Sequence, residues 1–274
     1  MNIYYLGPKG SYSEVAAKKI FSKKDYKLIP VDEFIDVVEK TKADGIGILG
    51  IENSITSSVH TSVDYMFASK INIIGEVMMN IDLYLGAKKN VKLREIKRVL
   101  SHPQALLQCS SFIDEHSFQK NKTSSTAAAI TQVLDSNDLK SAAIGDAESL
   151  KKSGLEILAK NIGNWQKNMT RWIIISKDKK SLERPINKTT YIFKVLHESG
   201  SLVKVLTAIA SAGGNMTKIE SRPVAGTDWE YEFWVDVEVE NRKLKALDKA
   251  INENTLNFRK IGAYKKGKLY TNNI

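Results

Sequence analysis

Residues 176–188 have the sequence Ser-Lys-Asp-Lys-Lys-Ser-Leu-Glu-Arg-Pro-Ile-Asn-Lys, a polar and highly charged stretch that contains a proline. Segments of this composition typically connect domains. A chain of 274 residues is also long enough to form two unequal domains. We therefore predict a linker at residues 178–187 between an N-terminal unit, residues 1–177, and an independently folding C-terminal unit, residues 188–274.

On the N-terminal side of the linker, short apolar runs alternate with helical patterns. The apolar runs are residues 2–6, 45–51, 71–78, 98–100, 141–144 and 171–175. Alternation of strands and helices predicts an α/β layered fold.

On the C-terminal side the order of elements is different. We predict a strand at 189–197, a helix at 201–212, strands at 215–222 and 229–240, a helix at 243–253 and a strand at 257–264. The order βαββαβ is typical of a ferredoxin-like sandwich.

The composition is that of an ordinary folded protein, with 42% apolar and 26% charged residues. Cys109 is the single cysteine and cannot form a disulfide within the chain. The first apolar run meets Gly7-Pro8 too early to serve as a signal sequence, and no apolar run has the length of a membrane span. These features predict a cytoplasmic protein without a membrane partner.

Part of the net charge of +10 is concentrated in one region, because lysine and arginine are frequent between Arg242 and Lys268. This region lacks the aromatic platform of a nucleic-acid module, so we predict no nucleic-acid partner and regard a small anionic ligand as compatible with the charge. The four histidines and one cysteine have no spacing suited to a metal site, so we predict neither metal nor cofactor.

Several corners of the N-terminal unit carry helix-start signals. They are capping boxes at residues 11–14 and 101–104, cap residues Ser125 and Asp146, and the polar segment 52–54, which follows a buried strand and precedes another predicted helix. Helix N-termini that meet at one sheet edge would bind an anion. For any one corner ordinary capping is the favoured explanation, because most helices are capped whatever their function.

These corners belong to longer segments that occur in order along the chain. They are residues 7–17 (GPKGSYSEVAA), 50–54 (GIENS), 101–109 (SHPQALLQC), 125–127 (STA), 168–172 (NMTRW), 200–202 (GSL) and 214–223 (GNMTKIESRP). Together they resemble the monofunctional prephenate dehydratase family, whose catalytic part is followed by an ACT regulatory domain. The resemblance extends over nearly the whole chain.

Four positions differ from the usual family pattern. Gly50 replaces a proline, Ser57 a glycine, Asn164 an aspartate and Trp172 a phenylalanine. These changes affect the expected shape of the pocket more than the reaction. The Thr170-Arg171 pair is retained, which favours dehydration over decarboxylation alone.

The resemblance implies a two-lobed catalytic domain similar to periplasmic binding proteins. Lobe one would comprise residues 1–74 and 163–177, lobe two residues 75–162, and the substrate would bind in the cleft between them. The implied reaction is the decarboxylative dehydration of prephenate to phenylpyruvate in L-phenylalanine biosynthesis.

The same resemblance implies the residues of the active site. Thr170 would donate a hydrogen bond to the departing hydroxyl, with Asn53, Ser101 and Gln108 as further catalytic residues that orient the substrate. The expected substrate-binding residues are Arg171, Ser54, Thr126 and Glu52. A threonine hydroxyl is too weak an acid to act as a general acid, so we assign Thr170 a positioning and charge-stabilising role.

Three residues, one of them Glu52, have chemistry that the pattern does not settle. Glu52 could be an acid with a pKa raised by burial, or it could cap or pair locally. His102 lies in a capping box, where an orienting role is favoured over proton transfer. Cys109 is expected to be a core residue.

The C-terminal unit would sense L-phenylalanine. Its implied binding residues are Gly200, Ser201, Leu202, Asn215, Glu220 and Ser221, with Asn215 contributing across a subunit boundary. ACT domains usually pair side by side, so a homodimer or homotetramer is implied. The alternatives left open are arogenate dehydratase activity, prephenate decarboxylation without loss of water, and a non-enzymatic protein that binds a small anion.

Overall fold

The computed structural model describes residues 1–21, 25–224 and 226–271. It confirms the predicted mixed α/β class and contains two sheets within that part of the chain. No helix in these ranges is long and apolar enough to cross a lipid bilayer.

The first sheet begins with N-terminal strands in the order β2-β1-β3-β11-β5. These strands are β1 (Asn2–Leu6), β2 (Lys27–Val31), β3 (Ile46–Asn53), β5 (Asn72–Asn80) and β11 (Met169–Ser176), with the short β4 (Ser57–Ser58) paired to β3. The three strands β2, β1 and β3 are parallel, whereas β11 is antiparallel to both β3 and β5. The accompanying helices are α1 (Tyr12–Ile20), α2 (Phe34–Ala43) and α3 (His60–Ala68).

The second sheet has the strand order β10-β6-β9-β7-β8. Its elements are β6 (Tyr84–Ala87), β7 (Arg98–Ser101), α4 (Pro103–Gln108), α5 (Ser110–Glu115), β8 (Gln119–Lys122), α6 (Thr126–Asp135), β9 (Ser141–Gly145), α7 (Ala147–Ser153) and β10 (Glu156–Ala159), with a 3-10 turn at Leu93–Glu95. The chain enters this sheet after β5 and leaves it before β11, so it crosses between the sheets twice. Because β5 stays in the first sheet to Asn80, the first crossing comes later than the predicted lobe boundary at residue 74.

The C-terminal unit has the predicted βαββαβ order. Its elements are β12 (Lys188–Lys194), α8 (Ser201–Ser211), β13 (Asn215–Pro223), β14 (Tyr231–Glu238), α9 (Leu244–Glu253) and β15 (Leu256–Tyr264), followed by β16 (Leu269–Tyr270), with a 3-10 turn at Asn241–Lys243. The strand order is β13-β14-β12-β15, and every pair is antiparallel. One face of these strands packs on α8 and α9 through a core that includes Tyr191, Phe193, Val205 and Leu247.

The opposite face of the C-terminal strands packs on the N-terminal unit. Ile192, Trp234 and Ile261 share a hydrophobic cluster with residues such as Met66 and Ile73. A single parallel pair, Gly262 with Ile73, joins β15 to β5 and makes one continuous sheet of both units. The linker also contacts β5, since Leu182 donates its backbone N–H to the Ile74 carbonyl at 2.9 Å. The two units are therefore more closely joined than the sequence pattern predicted.

The helix-start predictions can be compared with the observed caps. Ser11, Ser125 and Asp146 cap α1, α6 and α7 with their side chains, as predicted. The cap of α4 is His102 rather than Ser101, because Ser101 still belongs to β7. Segment 52–54 does not start a helix, since β4 intervenes before α3 begins at His60.

Candidate functional site

Strands β3 and β11 carry several of the predicted site residues in two adjacent cross-strand pairs. Asn53 lies opposite Thr170, and Glu52 lies opposite Arg171. The register then shifts, so that Trp172 pairs with Gly50 and Ile51 is left as a β-bulge. Because side chains alternate along a strand, the two pairs point to opposite faces of the ladder.

The Asn53 side chain is held in one orientation by the backbone. Its Oδ1 accepts hydrogen bonds from the N–H groups of Ile55 and Thr56 at 2.9 and 3.1 Å. The Nδ2 group must then be the donor, and it donates to Asn168 Oδ1 at 2.7 Å and Thr170 Oγ1 at 2.9 Å. Since the Thr170 oxygen accepts this bond, its own hydroxyl proton remains available for donation.

Gln108 joins the same cluster from the other sheet. It ends α4, and its Oε1 accepts a hydrogen bond from Asn168 Nδ2 at 3.0 Å. Gln108 and Asn168 are both buried. Asn168 was not predicted as a site residue, although it precedes Thr170 by two positions and so shares its face of the chain. We call the four residues Gln108, Asn168, Asn53 and Thr170 the amide cluster.

Arg171 does not join the amide cluster. Its Nη1 donates to Glu76 Oε2 at 2.9 Å, and its Nε and Nη2 lie 2.7 and 2.6 Å from carboxylate oxygens of Glu52 and Asp236. The last two are close ion contacts whose N–H directions are not aligned as hydrogen bonds. The side chain is 5% exposed, so its guanidinium is committed to these carboxylates rather than to a substrate.

The pKa values of Arg171 and Asp236 are set by burial and by their ion pairs. Burial disfavours the charged guanidinium, but the carboxylates of Asp236, Glu52 and Glu76 outweigh it and hold the pKa of Arg171 well above its ordinary value. Burial likewise opposes ionisation of Asp236, yet Arg171 and Lys188 lower the pKa of that carboxyl.

The remaining predicted residues of the N-terminal unit are Ser101, Ser54 and Thr126. Ser101 is fully buried, and its Oγ donates to the Ile144 carbonyl at 2.7 Å. Ser54 extends the ladder, because its N–H donates to the Met169 carbonyl and its Oγ accepts from the Met169 N–H at 2.9 Å. Thr126 is the first residue of α6.

The histidine and cysteine of the α4 segment have structural environments. His102 Nδ1 accepts from the Gln104 N–H at 3.2 Å, and burial lowers the pKa of the imidazole. A neutral capping ring agrees with an orienting role. Cys109 is buried, as predicted, and burial raises the pKa of its thiol to about 12.

A groove separates the Pro8-Lys9-Gly10 loop from α6 and α7. Its lining carries the cations Lys9, Lys18 and Lys152 and the carboxylates Glu14, Asp135 and Glu148. Lys18 pairs with Glu14, and Lys152 pairs with Glu148. The described residues include no group of three or more histidine, cysteine, aspartate or glutamate side chains placed to hold a metal ion.

The predicted effector residues divide between the two ends of the C-terminal sheet. Gly200 precedes α8 with a φ of 82°, followed by Ser201 and Leu202 in the first turn. Strand pairing places Glu220 and Ser221 towards that same end and Asn215 at the other. Glu220 faces the N-terminal unit, where Ser58 donates a hydrogen bond to it.

Comparison with known proteins identifies relatives over nearly the whole chain. Residues 3–180 match the family model described as prephenate dehydratase. The chain is 37% identical over 268 residues to the prephenate dehydratase of Methanocaldococcus jannaschii, covering 96% of this chain and 97% of that protein. It is 36% identical over 245 residues to the bifunctional chorismate mutase/prephenate dehydratase of Buchnera aphidicola subsp. Acyrthosiphon pisum, covering 87% of this chain and 63% of that relative.

Among solved structures, the chain resembles the prephenate dehydratase of Arthrobacter aurescens in complex with L-Phe. The TM-score is 0.87 at 28% sequence identity, and the match covers 97% of this chain and 90% of that one.

Proposed function

The chain belongs to the prephenate dehydratase family, a family of lyases in phenylalanine biosynthesis, and from this premise we propose that the amide cluster is its catalytic centre. The reaction converts prephenate to phenylpyruvate, water and carbon dioxide. The observation that carries the proposal is the hydrogen bond from Asn53 Nδ2 to Thr170 Oγ1 at 2.9 Å, which leaves the threonine proton for the substrate.

The chemistry needs a hydrogen-bond donor at the leaving group. As carbon dioxide departs, the electrons of its bond to the ring enter the π system, and the C4–O bond breaks. The departing hydroxyl takes up a proton from solvent and leaves as water, and the ring becomes aromatic. Thr170 stabilises the charge that develops on the departing oxygen by donating its hydrogen bond.

The other residues orient the reacting groups. Asn53 fixes the Thr170 hydroxyl, and Asn168 links Asn53 to Gln108. Because the Gln108 oxygen is engaged by Asn168, its contact with the substrate would be made by its amide nitrogen. Ser101 and Ser54 hold the ends of β7 and β11 in place through their hydrogen bonds.

The two carboxylates of prephenate require positive potential. We assign this to the groove beside Lys9 and to the N-terminus of α6 at Thr126, where unpaired N–H groups favour an anion. Glu52 and Arg171 lie on the other face of the ladder, where they contact Lys218 and Asp236 of the C-terminal unit.

We infer that the C-terminal unit is an ACT domain that binds L-phenylalanine. The βαββαβ order supports this, as does the relative from Arthrobacter aurescens solved with L-Phe. The site would combine Gly200, Ser201, Leu202 and Ser221 with Asn215 of a second copy in a homodimer or homotetramer. Glu220, on the opposite face of β13, would connect that site to the N-terminal unit.

We also propose that the chain works as a monofunctional enzyme in the cytoplasm. The 97% coverage of the Methanocaldococcus jannaschii prephenate dehydratase supports a monofunctional enzyme. A single cysteine, which needs no oxidising compartment, supports the location.

One assay tests both activity and regulation. The purified chain is incubated with prephenate, with and without L-phenylalanine, and phenylpyruvate formation is followed. We expect phenylpyruvate to form and its rate to fall as L-phenylalanine is added. Turnover of arogenate but not prephenate would reassign the substrate, and a decarboxylated product that keeps its hydroxyl would reassign the reaction. No turnover of either substrate would contradict the proposed enzymatic activity. An unchanged rate with L-phenylalanine would contradict the regulatory proposal alone.

A further inference from the structure

Charged side chains form a connected cluster where the C-terminal strands pack on β3, β5 and β11. Each member lies within 2.9 Å of an oppositely charged neighbour. We call this cluster the interdomain ion network, and its members are Glu52, Glu76, Arg171, Lys188, Lys218, Glu220, Arg222 and Asp236.

The network is balanced in charge and largely removed from water. On these strands it contains four carboxylates and four cations, and Arg222 also contacts the exposed Asp64 of α3 at 2.6 Å. The side chains of Glu76 and Asp236 are fully buried. The Glu76 carboxylate accepts hydrogen bonds from the guanidinium of Arg171, the ammonium of Lys188 and the backbone N–H of Gly267. Removing one partner from such a set leaves an uncompensated buried charge, which is strongly destabilising.

The network connects the C-terminal unit to the strands of the proposed catalytic centre. Asp236 on β14 contacts Arg171 at 2.6 Å, and Lys218 on β13 contacts Glu52 at 2.9 Å. Arg171 and Glu52 also contact each other at 2.7 Å. Their immediate neighbours along the chain are Thr170 and Asn53, which pair on the opposite face.

The β-bulge at Ile51 gives the contacts of the C-terminal unit with Glu52 and Arg171 a role in the alignment of β3 with β11. Beyond the bulge, β3 and β11 are joined by the Glu52–Arg171 and Asn53–Thr170 pairs and by the hydrogen bonds between Ser54 and Met169, while β11 stays paired with β5 on its other side. A bulge locally disrupts the ladder, so side-chain contacts across its short end add to the backbone pairing in fixing the register. The ion contacts of Glu52 and Arg171 are side-chain contacts of this kind.

We propose that Asp236 and Lys218 are positioning residues for the dehydration reaction, acting through Arg171 and Glu52 to hold Thr170 and Asn53 in register. This inference rests on the proposed function of the amide cluster. The C-terminal unit is then part of the support of the catalytic centre in addition to its proposed effector binding. A displacement of β14 would reach Arg171, the neighbour of Thr170, through one side-chain contact, and a displacement of β13 would reach it through two.

The test compares two aspartates of the C-terminal unit. Asp236→Asn keeps the size of the side chain but removes the charge that faces Arg171. Asp236 accepts a hydrogen bond from the Thr190 hydroxyl at 2.7 Å besides its contact with Arg171. Asp248→Asn is the control, because Asp248 likewise accepts from a hydroxyl, that of Tyr191, and pairs with a cation, Lys260, but both partners lie within the C-terminal unit. For Asp236→Asn we expect kcat for prephenate to fall about tenfold with KM within about twofold of the parent, the scale of a typical coupling between sites. Asp248→Asn should stay within about twofold of the parent in both constants.

A second variant covers the case in which Asp236→Asn does not fold. Lys218→Met removes the cation that contacts Glu52 at the partly exposed edge of the network, and circular dichroism shows whether each variant is folded. We expect Lys218→Met to lower kcat about threefold or more, again with little change in KM. Parental kcat in the folded variants, or an equal loss in Asp248→Asn, would overturn the positioning role. Absence of phenylpyruvate from the parent itself would instead contradict the proposed function.

Discussion

The two faces of the β3–β11 ladder differ in chemistry although their residues are sequence neighbours. One face presents the amide cluster, whose members are neutral and joined by hydrogen bonds of 2.7–3.0 Å. The other face presents Glu52 and Arg171 within the buried interdomain ion network. Neutral donors can change partners when a substrate enters, whereas buried charges must keep theirs.

This difference separates the proposed chemistry from its support. The Thr170-Arg171 dipeptide looks like a single catalytic motif in the sequence, but the pleat of β11 sends its two side chains to opposite sides. Thr170 faces the amide cluster, and Arg171 faces Asp236 of the C-terminal unit. The faces should therefore respond differently to truncation, substitution and acid.

The largest expected effect comes from removing the C-terminal unit. A chain that ends at Lys180 lacks Asp236 and Lys188, so Arg171 and Glu76 lose partners in the network, and it also lacks Trp234 and Ile261 of the shared core. We expect loss of cooperative folding and of all prephenate turnover, because each broken buried pair costs about 3–5 kcal/mol, a large part of a typical stability of about 5–15 kcal/mol.

Thermal unfolding followed by circular dichroism measures this effect. A chain that ends at residue 271 is the control and should match the parent. A cooperative transition in the chain ending at Lys180, together with parental kcat, would show that the ionic face is dispensable and that the units fold independently.

A smaller effect, confined to the amide cluster, is expected from Thr170→Ala. The variant loses the hydroxyl that stabilises the leaving group, so kcat should fall by about 10²-fold or more while KM changes little. The melting temperature should stay within a few degrees of the parent, since no buried charge is exposed. Thr170→Ser keeps a hydroxyl and should recover most of kcat. If Thr170→Ala retains a third or more of parental kcat, the amide cluster is not the catalytic centre.

Much of the fold follows from local patterns. The strands of the C-terminal unit and the apolar runs at 2–6, 45–51 and 171–175 were predictable because they are bounded by turn residues and have a clear strand period. Strand β8, with the sequence Gln-Lys-Asn-Lys, was not predictable, because it is held at the sheet edge by pairing with β7 rather than by apolar side chains.

The site was predictable only in part, for a related reason. Asn53, Gln108 and Thr170 lie together, but motif matching could not assign Arg171 to the opposite face without the strand register. Asp236 and Lys218 carry no local signal, since a charged residue within a strand usually indicates a solvated face. Their partners lie 65 and 166 residues away in the chain, and only the packing of the two units brings them together.

The smallest expected effect is a difference between the two faces in how the free energy of unfolding depends on pH. The amide cluster contains no group that titrates between pH 3 and 7, whereas the interdomain ion network contains carboxylates. The pKa of Asp236 is held below its ordinary value of 3.8, because Arg171 and Lys188 outweigh the effect of burial. The pKa of Glu220 is likewise held below 4.5, because Lys218, Ser58 and Arg222 outweigh burial.

A carboxyl whose pKa is lower in the folded state than in the unfolded chain binds fewer protons when folded. Its stabilising contribution is fully present above the unfolded pKa and is lost as the pH falls through the folded pKa. The free energy of unfolding of the parent should therefore decrease as the pH falls below about 4.5, with a slope of about 1.4 kcal/mol per pH unit for each extra proton taken up on unfolding.

Asp236→Asn removes one such carboxyl, so the slope of its free energy of unfolding against pH should be shallower than that of the parent below pH 4. Thr170→Ala should parallel the parent, since a hydroxyl does not titrate there. Denaturant unfolding of the three proteins between pH 6 and 3 measures the slopes, and equal slopes for Asp236→Asn and the parent would show that Asp236 does not stabilise the fold through its charge.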